Sequence, residues 1–142
     1  MSDPQRTIEI VMQSEALAVR DGLRRLFAAA PLRDLSADAQ GTVEIVLAEA
    51  LNNIVEHAYA TTEGQIAVRL RHLSPDLWCE IADGGLPMPD GTLPAGVLHR
   101  LNPGDDLPEG GFGWFLIRSL AQDLAYCRKQ EHNLLCFRLR VA

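Results

Sequence analysis

The sequence has little that would tie it to a nucleic acid or a membrane. Lys and Arg number 13 against 19 Asp and Glu, a formal net charge of −6. The basic residues form no run. Neutralising phosphates needs a basic face, so nucleic acid is disfavoured as the main partner. No stretch approaches the ~18 apolar residues of a membrane span. The segment Met1 to Gln13 alternates polar and apolar residues and lacks the basic start and apolar core of a signal peptide. The three cysteines, Cys79, Cys127 and Cys136, sit singly in apolar segments, with no pair at metal-ligand spacing. Buried, reduced thiols in a cytoplasmic protein are the expectation. There is no repeat, no low-complexity tract and no Ser/Gly linker. With 142 residues, 47% of them apolar, the expectation is one domain, 1–142, around one core.

The hydropathy pattern predicts a mixed architecture. Thr7 to Gln13 alternates as a strand. Ser14 is placed to cap a helix running to about Ala30, stopped by Pro31. Ser36 is placed to cap a second helix, whose apolar positions Val43, Val46, Leu47, Ala50, Leu51, Ile54 and Ala58 recur at helical spacing through Tyr59. Gln65 to His72 and Leu77 to Asp83 read as strands joined by the turn Ser74-Pro75-Asp76. From Gly84 to Gly113 the chain is irregular, with at most one short helix near Val97 to Leu101. A loop of that length in a compact domain is usually functional. A helix from about Trp114 to Gln122 follows. Strands near Leu124 to Arg128 and Leu134 to Val141 close the chain, with a turn around Glu131-His132-Asn133. The order predicts an α+β fold with helices on one face of a mostly antiparallel sheet.

Three segments carry residue types suited to chemistry. On the second helix Glu49, Asn53 and His57 are each four residues apart, so they line one face. An amide oxygen such as that of Asn53 is a hard ligand suited to Mg²⁺. A carboxylate such as Glu49 can take a proton from an attacking hydroxyl or water. The plainer alternative is a solvated face with i,i+4 pairs, but apolar residues flank this row on both sides. The second segment, Ile81 to Pro87, puts Asp83 at a strand end. There it can accept a hydrogen bond from an exocyclic amine such as that of adenine, while Gly85 lets backbone approach a flat ring. An ordinary Asp-Gly turn is the alternative. The third is Glu109-Gly110-Gly111-Phe112-Gly113-Trp114, glycines running into an apolar helix. Backbone N–H groups and the helix N-terminus there make an anion site, although a lone glycine-rich loop is also a plain flexible entry to a helix.

Taken in order, Glu-x-x-x-Asn-x-x-x-His, Asp-x-Gly and Gly-x-Gly before an apolar helix resemble the ATP-binding signature of the gyrase, chaperone, histidine-kinase and MutL (GHKL) ATPase superfamily. Its α/β sandwich is the Bergerat fold. The ending His57-Ala58-Tyr59, the Asp-x-Gly-x-Pro form at Asp83, Gly85 and Pro87, and the run Trp114 to Ser119 resemble its anti-sigma-factor serine/threonine kinase branch. The resemblance spans nearly the whole chain. It implies that Glu49 is the general base and Asn53 the Mg²⁺ ligand. It implies that Asp83 reads the adenine amine with Gly85 beside the ring, that Gly111, Phe112 and Gly113 hold the phosphates of ATP, and that His57 shapes the site. The implied reaction is phosphoryl transfer from ATP to a serine or threonine of an anti-sigma-factor antagonist, with a sigma factor held inactive as second partner. Members of the branch often form homodimers.

The chain departs from that pattern before the glycines. Many members of the branch carry an arginine at the position of Glu109, and Asp105 and Asp106 make the preceding lid acidic. A carboxylate beside a triphosphate repels it by about 1 kcal/mol at partly solvated distances. Arg100 and Arg118 are the cations that could reach the γ-phosphate instead. Trp114 stands where leucine is common. The alternative function is therefore a nucleotide-binding switch that transfers nothing and acts through its partners. A degenerate interaction domain comes third.

Overall fold

The computed structural model describes residues 6–95 and 111–142. The chain begins with strand β1, Thr7–Gln13, and helix α1, Ala16–Phe27. Ser14 does not cap α1. The N-cap is Glu15, whose side chain makes no capping bond, and the Ser14 hydroxyl accepts instead from Gly64 N at 3.0 Å. Ser14 N also donates to Gly64 O at 2.9 Å, so this residue ties the start of α1 to the entry of the second strand. The helix ends earlier than Ala30. Ala29 N already turns back to Leu26 O at 3.3 Å, and Ala30, preceding a proline, is biased away from helical backbone.

Helix α2, Ala37–Asn53, begins as expected. Ser36 is its N-cap, and its Oγ accepts from Ala39 N at 3.1 Å. Val43, Val46, Leu47, Ala50 and Leu51 turn one buried stripe to the core. Beyond Asn53 the helix widens into a π turn, Ile54–Ala58, closed by Tyr59 N donating to Ile54 O at 3.0 Å. The expected helix thus reaches Tyr59, but its last five residues follow a different period.

The remaining elements are β2, Gln65–Leu73; β3, Asp76–Asp83; α3, Gly111–Leu120; β4, Gln122–Lys129; and β5, His132–Arg140. The strands form one sheet in the order β1-β2-β3-β5-β4, and all four pairings are antiparallel. The three helices pack on one face of this sheet. Buried positions alternate along each strand: Ile66, Val68 and Leu70 on β2, Leu77, Cys79, Ile81 and Asp83 on β3, and Asn133, Leu135, Phe137 and Leu139 on β5. The opposite residues form an uncovered outer face, which includes the exposed Val11 and Trp78.

Two expectations at the C-terminal end change. The hairpin turn is Gln130-Glu131, both with positive φ (52° and 64°), which matches the right-handed twist of the flanking strands. Asn133 therefore lies inside β5, opposite Asp83, and not in the turn. The cysteines are free, but only Cys79 is buried; Cys136 is half-buried and Cys127 exposed, because β4 is an edge strand whose outer face nothing covers among the described residues. Burial pushes the Cys79 thiol far above its usual range, as it does to a lesser degree for Cys136, aided by Glu80 and Cys127. The short helix expected near Val97 to Leu101 lies outside the described residues.

Phe137 is fully buried between sheet and helices. Phe137→Ala is expected to lower unfolding free energy by about 3–5 kcal/mol. Ser36→Ala should remove about 1 kcal/mol through the lost cap. Urea unfolding checks both, as a drop in midpoint at unchanged m-value.

Candidate functional site

The site forms where α2 and its π turn meet the ends of β3 and β5 and the start of α3. A cavity of about 230 Å³ opens there. Ala50, Ile54, His57 and Ala58 line it from the helix side, and Asp83, Asn133 and Leu135 from the sheet. Leu86, Pro87, Met88 and Pro89 cover one side, with Trp114 of α3 and Tyr126 of β4 completing the wall. An apolar pocket with a few convergent polar groups is the usual form of a small-molecule site.

Asp83 is 5% exposed. Its Oδ1 accepts from Gly85 N at 2.9 Å and from Asn133 Nδ2 at 2.8 Å. Among the described residues nothing donates to Oδ2. Gly85 follows at a point of very close backbone approach. A Cβ placed there would sit 2.4 Å from Ala58 O and 2.6 Å from its carbonyl carbon. The next amide, Leu86 N, donates to that same Ala58 O at 2.7 Å. Only a residue without a side chain lets the strand end lie against the π turn this closely. Tyr59 secures the same loop, its hydroxyl accepting from Gly84 N at 2.8 Å and donating to Gln65 O at 2.7 Å.

The first and third sequence segments meet beside this cavity. A Cβ on Gly113 would lie 2.6 Å from Glu49 Oε2 and 3.5 Å from Asn53 Nδ2. The start of α3 is thus seated directly on the carboxylate and amide of α2. Asn53 is 8% exposed, and its Nδ2 has no hydrogen-bond partner among the described residues. An unpaired buried amide group costs about 1–3 kcal/mol, so its presence needs a reason. With no partner to tell its two ends apart, the amide can present either nitrogen or oxygen there. The donor set, one amide oxygen beside a carboxylate and a helix N-terminus, fits a Mg²⁺ that keeps phosphate oxygens and waters as its other ligands. No group of three or more His, Cys, Asp or Glu among the described residues makes an all-protein metal cage.

The helical row from Glu49 does not continue unchanged to His57. Glu49 and Asn53 lie on regular helix, while His57 lies on the π turn, exposed, and lines the cavity with Asp83. The structure therefore brings together Glu49, Asn53 and Gly113 in one group, and His57, Asp83 and the wall in another. Trp114, next to Gly113, and Ala50, next to Glu49, join the two.

The expected glycine loop before Trp114 is different in form. Helix α3 already begins at Gly111, so Gly111, Phe112 and Gly113 are its first turn. First-turn N–H groups have no intrahelical partner, which suits them to an anion. Glu109, with Arg100, Asp105 and Asp106, lies outside the described residues. Arg118 is exposed, and its Nε donates to Pro94 O at 2.8 Å.

Sequence reasoning missed Asn133, Tyr126 and Arg128. They surround Asp83 only because β3, β5 and β4 pair in this register, which no local motif announces. No helix among the described residues is long and apolar enough to cross a membrane.

The profile of the histidine kinase-like ATPase domain matches residues 12–139. The chain belongs to that family. Its curated relatives include the serine-protein kinase RsbW of Bacillus mycoides (strain KBAB4), 34% identical over 89 residues, covering 61% of this chain and 56% of that protein. The serine-protein kinase RsbW of Bacillus cereus (strain AH187) is 33% identical over 84 residues, covering 58% and 52%. The matches span little more than half the length of these relatives.

The two glycine contacts differ in what a methyl group would strike. At Gly85 it meets backbone, which cannot move aside, so Gly85→Ala should destabilise by about 1–3 kcal/mol. At Gly113 it meets the far end of the Glu49 side chain. Alanine also favours helix over glycine by up to about 1 kcal/mol. Gly113→Ala should thus leave thermal stability within about 1 kcal/mol of wild type while displacing Glu49. Differential scanning calorimetry of the two variants checks the contrast.

Proposed function

We propose that this member of the histidine kinase-like ATPase family is a cytoplasmic, ATP-dependent protein kinase that acts as a regulatory switch. It transfers the γ-phosphoryl group of ATP to a serine or threonine of an anti-sigma-factor antagonist, and it holds a sigma factor inactive by binding it. The observation that carries this reading is the seating of Gly113 on Glu49 and Asn53, beside a cavity whose polar end is Asp83. The printed names of the relatives, serine-protein kinases, support the same reaction class.

Each residue has a part that follows from its position. Asp83 accepts from the exocyclic amine of adenine, and Gly85, lying against the Ala58 carbonyl rather than beside the ring, lets the strand end close on the π turn. The apolar wall of Ile54, Leu86, Met88, Trp114 and Leu135 takes up the flat faces of the base and excludes water. The first-turn N–H groups of α3, at Gly111, Phe112 and Gly113, face the phosphates. Mg²⁺, held by the Asn53 amide oxygen, would neutralise charge on the phosphate oxygens. Glu49 Oε2 takes the proton of the attacking hydroxyl as its oxygen bonds to the γ-phosphorus and the bond to ADP breaks. Transfer of this kind depends mainly on positioning and charge stabilisation, which suits a site with one base and few other catalytic groups. Two partners whose binding responds oppositely to nucleotide state make a switch with coupled free energies.

Glu109 favours a second reading: binding of ATP or ADP with no transfer, the chain serving as a switch through partner binding alone. Bound nucleotide without phosphoprotein, in the presence of the true antagonist, would select it.

Incubation with Mg-ATP and a candidate antagonist should yield ADP and a phosphoserine or phosphothreonine, detected by mass spectrometry. Glu49→Ala should cut transfer by about 10²-fold or more while ATP still binds. At ATP one hundred times its dissociation constant, the folded state should gain about 2.7 kcal/mol, read as a thermal shift in both proteins. No ATP-dependent shift in the wild type would sink both readings.

A further inference from the structure

After β3 the chain runs from Gly84 to Met88 outside any strand or helix, and Leu86, Pro87 and Met88 of this run wall the cavity. No sheet ladder satisfies its backbone, so other groups must. Pro87 has no N–H to place. Gly84 N, Gly85 N and Leu86 N donate to the Tyr59 hydroxyl, Asp83 Oδ1 and Ala58 O. These bonds anchor the first half of the run to the end of β3 and the π turn. Met88 N alone reaches the other way. It donates to the Tyr126 hydroxyl of β4 at 3.0 Å, and among the described residues it has no second acceptor. With the Met88 N–H directed at the phenol oxygen, the single phenol proton is free for Asn133 Oδ1, at 2.5 Å. Asn133 is 5% exposed and lies within β5. One hydroxyl thus joins the far half of the wall to the sheet. The other tie from β4, Arg128 Nη1 to Gly85 O at 2.8 Å, lands on a residue already held from the helix side.

Met88 and Tyr126 both line the cavity, whereas Glu49, Asn53 and Gly113 form the separate group beside it. We propose that Tyr126 is a positioning residue: through its hydroxyl the edge strand β4 holds Met88 in place over the cavity, and this contact sets the affinity for nucleotide without entering the transfer step. The inference rests on the nucleotide reading of the cavity. The physical gain is a wall already in place before a ligand arrives. Without the hydroxyl the Met88 N–H has no partner and leaves the sheet for water. A ligand must then wait for, or itself restore, the closed wall, and its apparent affinity falls by the fraction of molecules in which the wall is closed. Once the nucleotide is seated, the wall is the same in both forms, and the distant carboxylate and amide are undisturbed.

Tyr126→Phe removes the hydroxyl and keeps the ring on the wall. Calorimetry should show ATP binding weakened by about tenfold. Where phosphoprotein forms, kcat at saturating ATP should stay within about twofold while KM for ATP rises with the dissociation constant. Amide hydrogen exchange reads the wall itself. In the ligand-free protein the Met88 amide should exchange about tenfold faster in the variant than in the wild type, with Gly84 and Gly85 unchanged. A merely structural role would loosen all three amides together and leave the dissociation constant of the folded fraction as it was. An ATP affinity within about twofold of wild type, or a kcat that falls while KM holds, would overturn the inference with nucleotide binding intact. So would a Met88 amide that exchanges in the ligand-free wild type as fast as in an unfolded chain, a result that needs no variant to fold. Failure of the wild type to bind ATP would remove the nucleotide reading itself, and this inference with it.

Discussion

The contact on which the site depends is backbone against backbone. Leu86 N donates to Ala58 O at 2.7 Å, and the space beside that bond admits no Cβ at Gly85. Widening of α2 into a π turn brings Ala58 to this point, and the end of β3 brings Gly85. Tyr59, the residue after the turn, binds Gly84 N and Gln65 O. Three successive residues, Gly84, Gly85 and Leu86, are thereby held against the end of the helix. One wall of the cavity, from Ile54 through Ala58 to Met88, follows from this closure. Single π turns of this kind are frequent at functional sites, because the extra residue re-aims the side chains after it. Here it sets His57 apart from Glu49 and Asn53 and turns it to the cavity.

The two ends of the site differ in how well their polar groups are satisfied. Around Asp83 the accounting closes except at Oδ2: Gly85 N, Asn133, Tyr126, Arg128 and Met88 N form one connected set of donors and acceptors ending on Oδ1. Such a set is rigid, since moving any member leaves another unpaired in a low-dielectric interior. Around Asn53 it does not close among the described residues, and Glu49 stands against Gly113 with the Asn53 Nδ2 group unpaired there. A rigid, satisfied end suits recognition of a fixed ring. An unsatisfied end beside a helix N-terminus suits a charged group that brings its own hydrogen-bonding capacity. The proposed division between base recognition and phosphate chemistry rests on this contrast.

Much of this was legible in the residue pattern. The Ser36 cap and the apolar stripe from Val43 to Leu51 specify α2, and alternation specifies β1, β2 and β3, because both signals are local. Glu49, Asn53, Asp83 and Gly113 stood out by residue type and spacing, and the structure draws them to one region. The Ser14 cap was not legible, because the hydroxyl's partner, Gly64, is fifty residues away. Neither was the start of α3 at Gly111, since glycine's weak helix propensity is overridden where the first turn packs on Glu49 and Asn53.

By itself the sequence determined element types, the α+β class and which segments bring residue types suited to chemistry to one spacing, since period, capping and residue type act over a few positions. Only the tertiary structure decided that Asn133 faces Asp83 and Arg128, that Gly85 lies against Ala58, and that Gly113 rests on Glu49. Those pairings join residues far apart in the chain. They are settled by strand register and by how closely two backbones can approach, and neither quantity is written in any local stretch of residues.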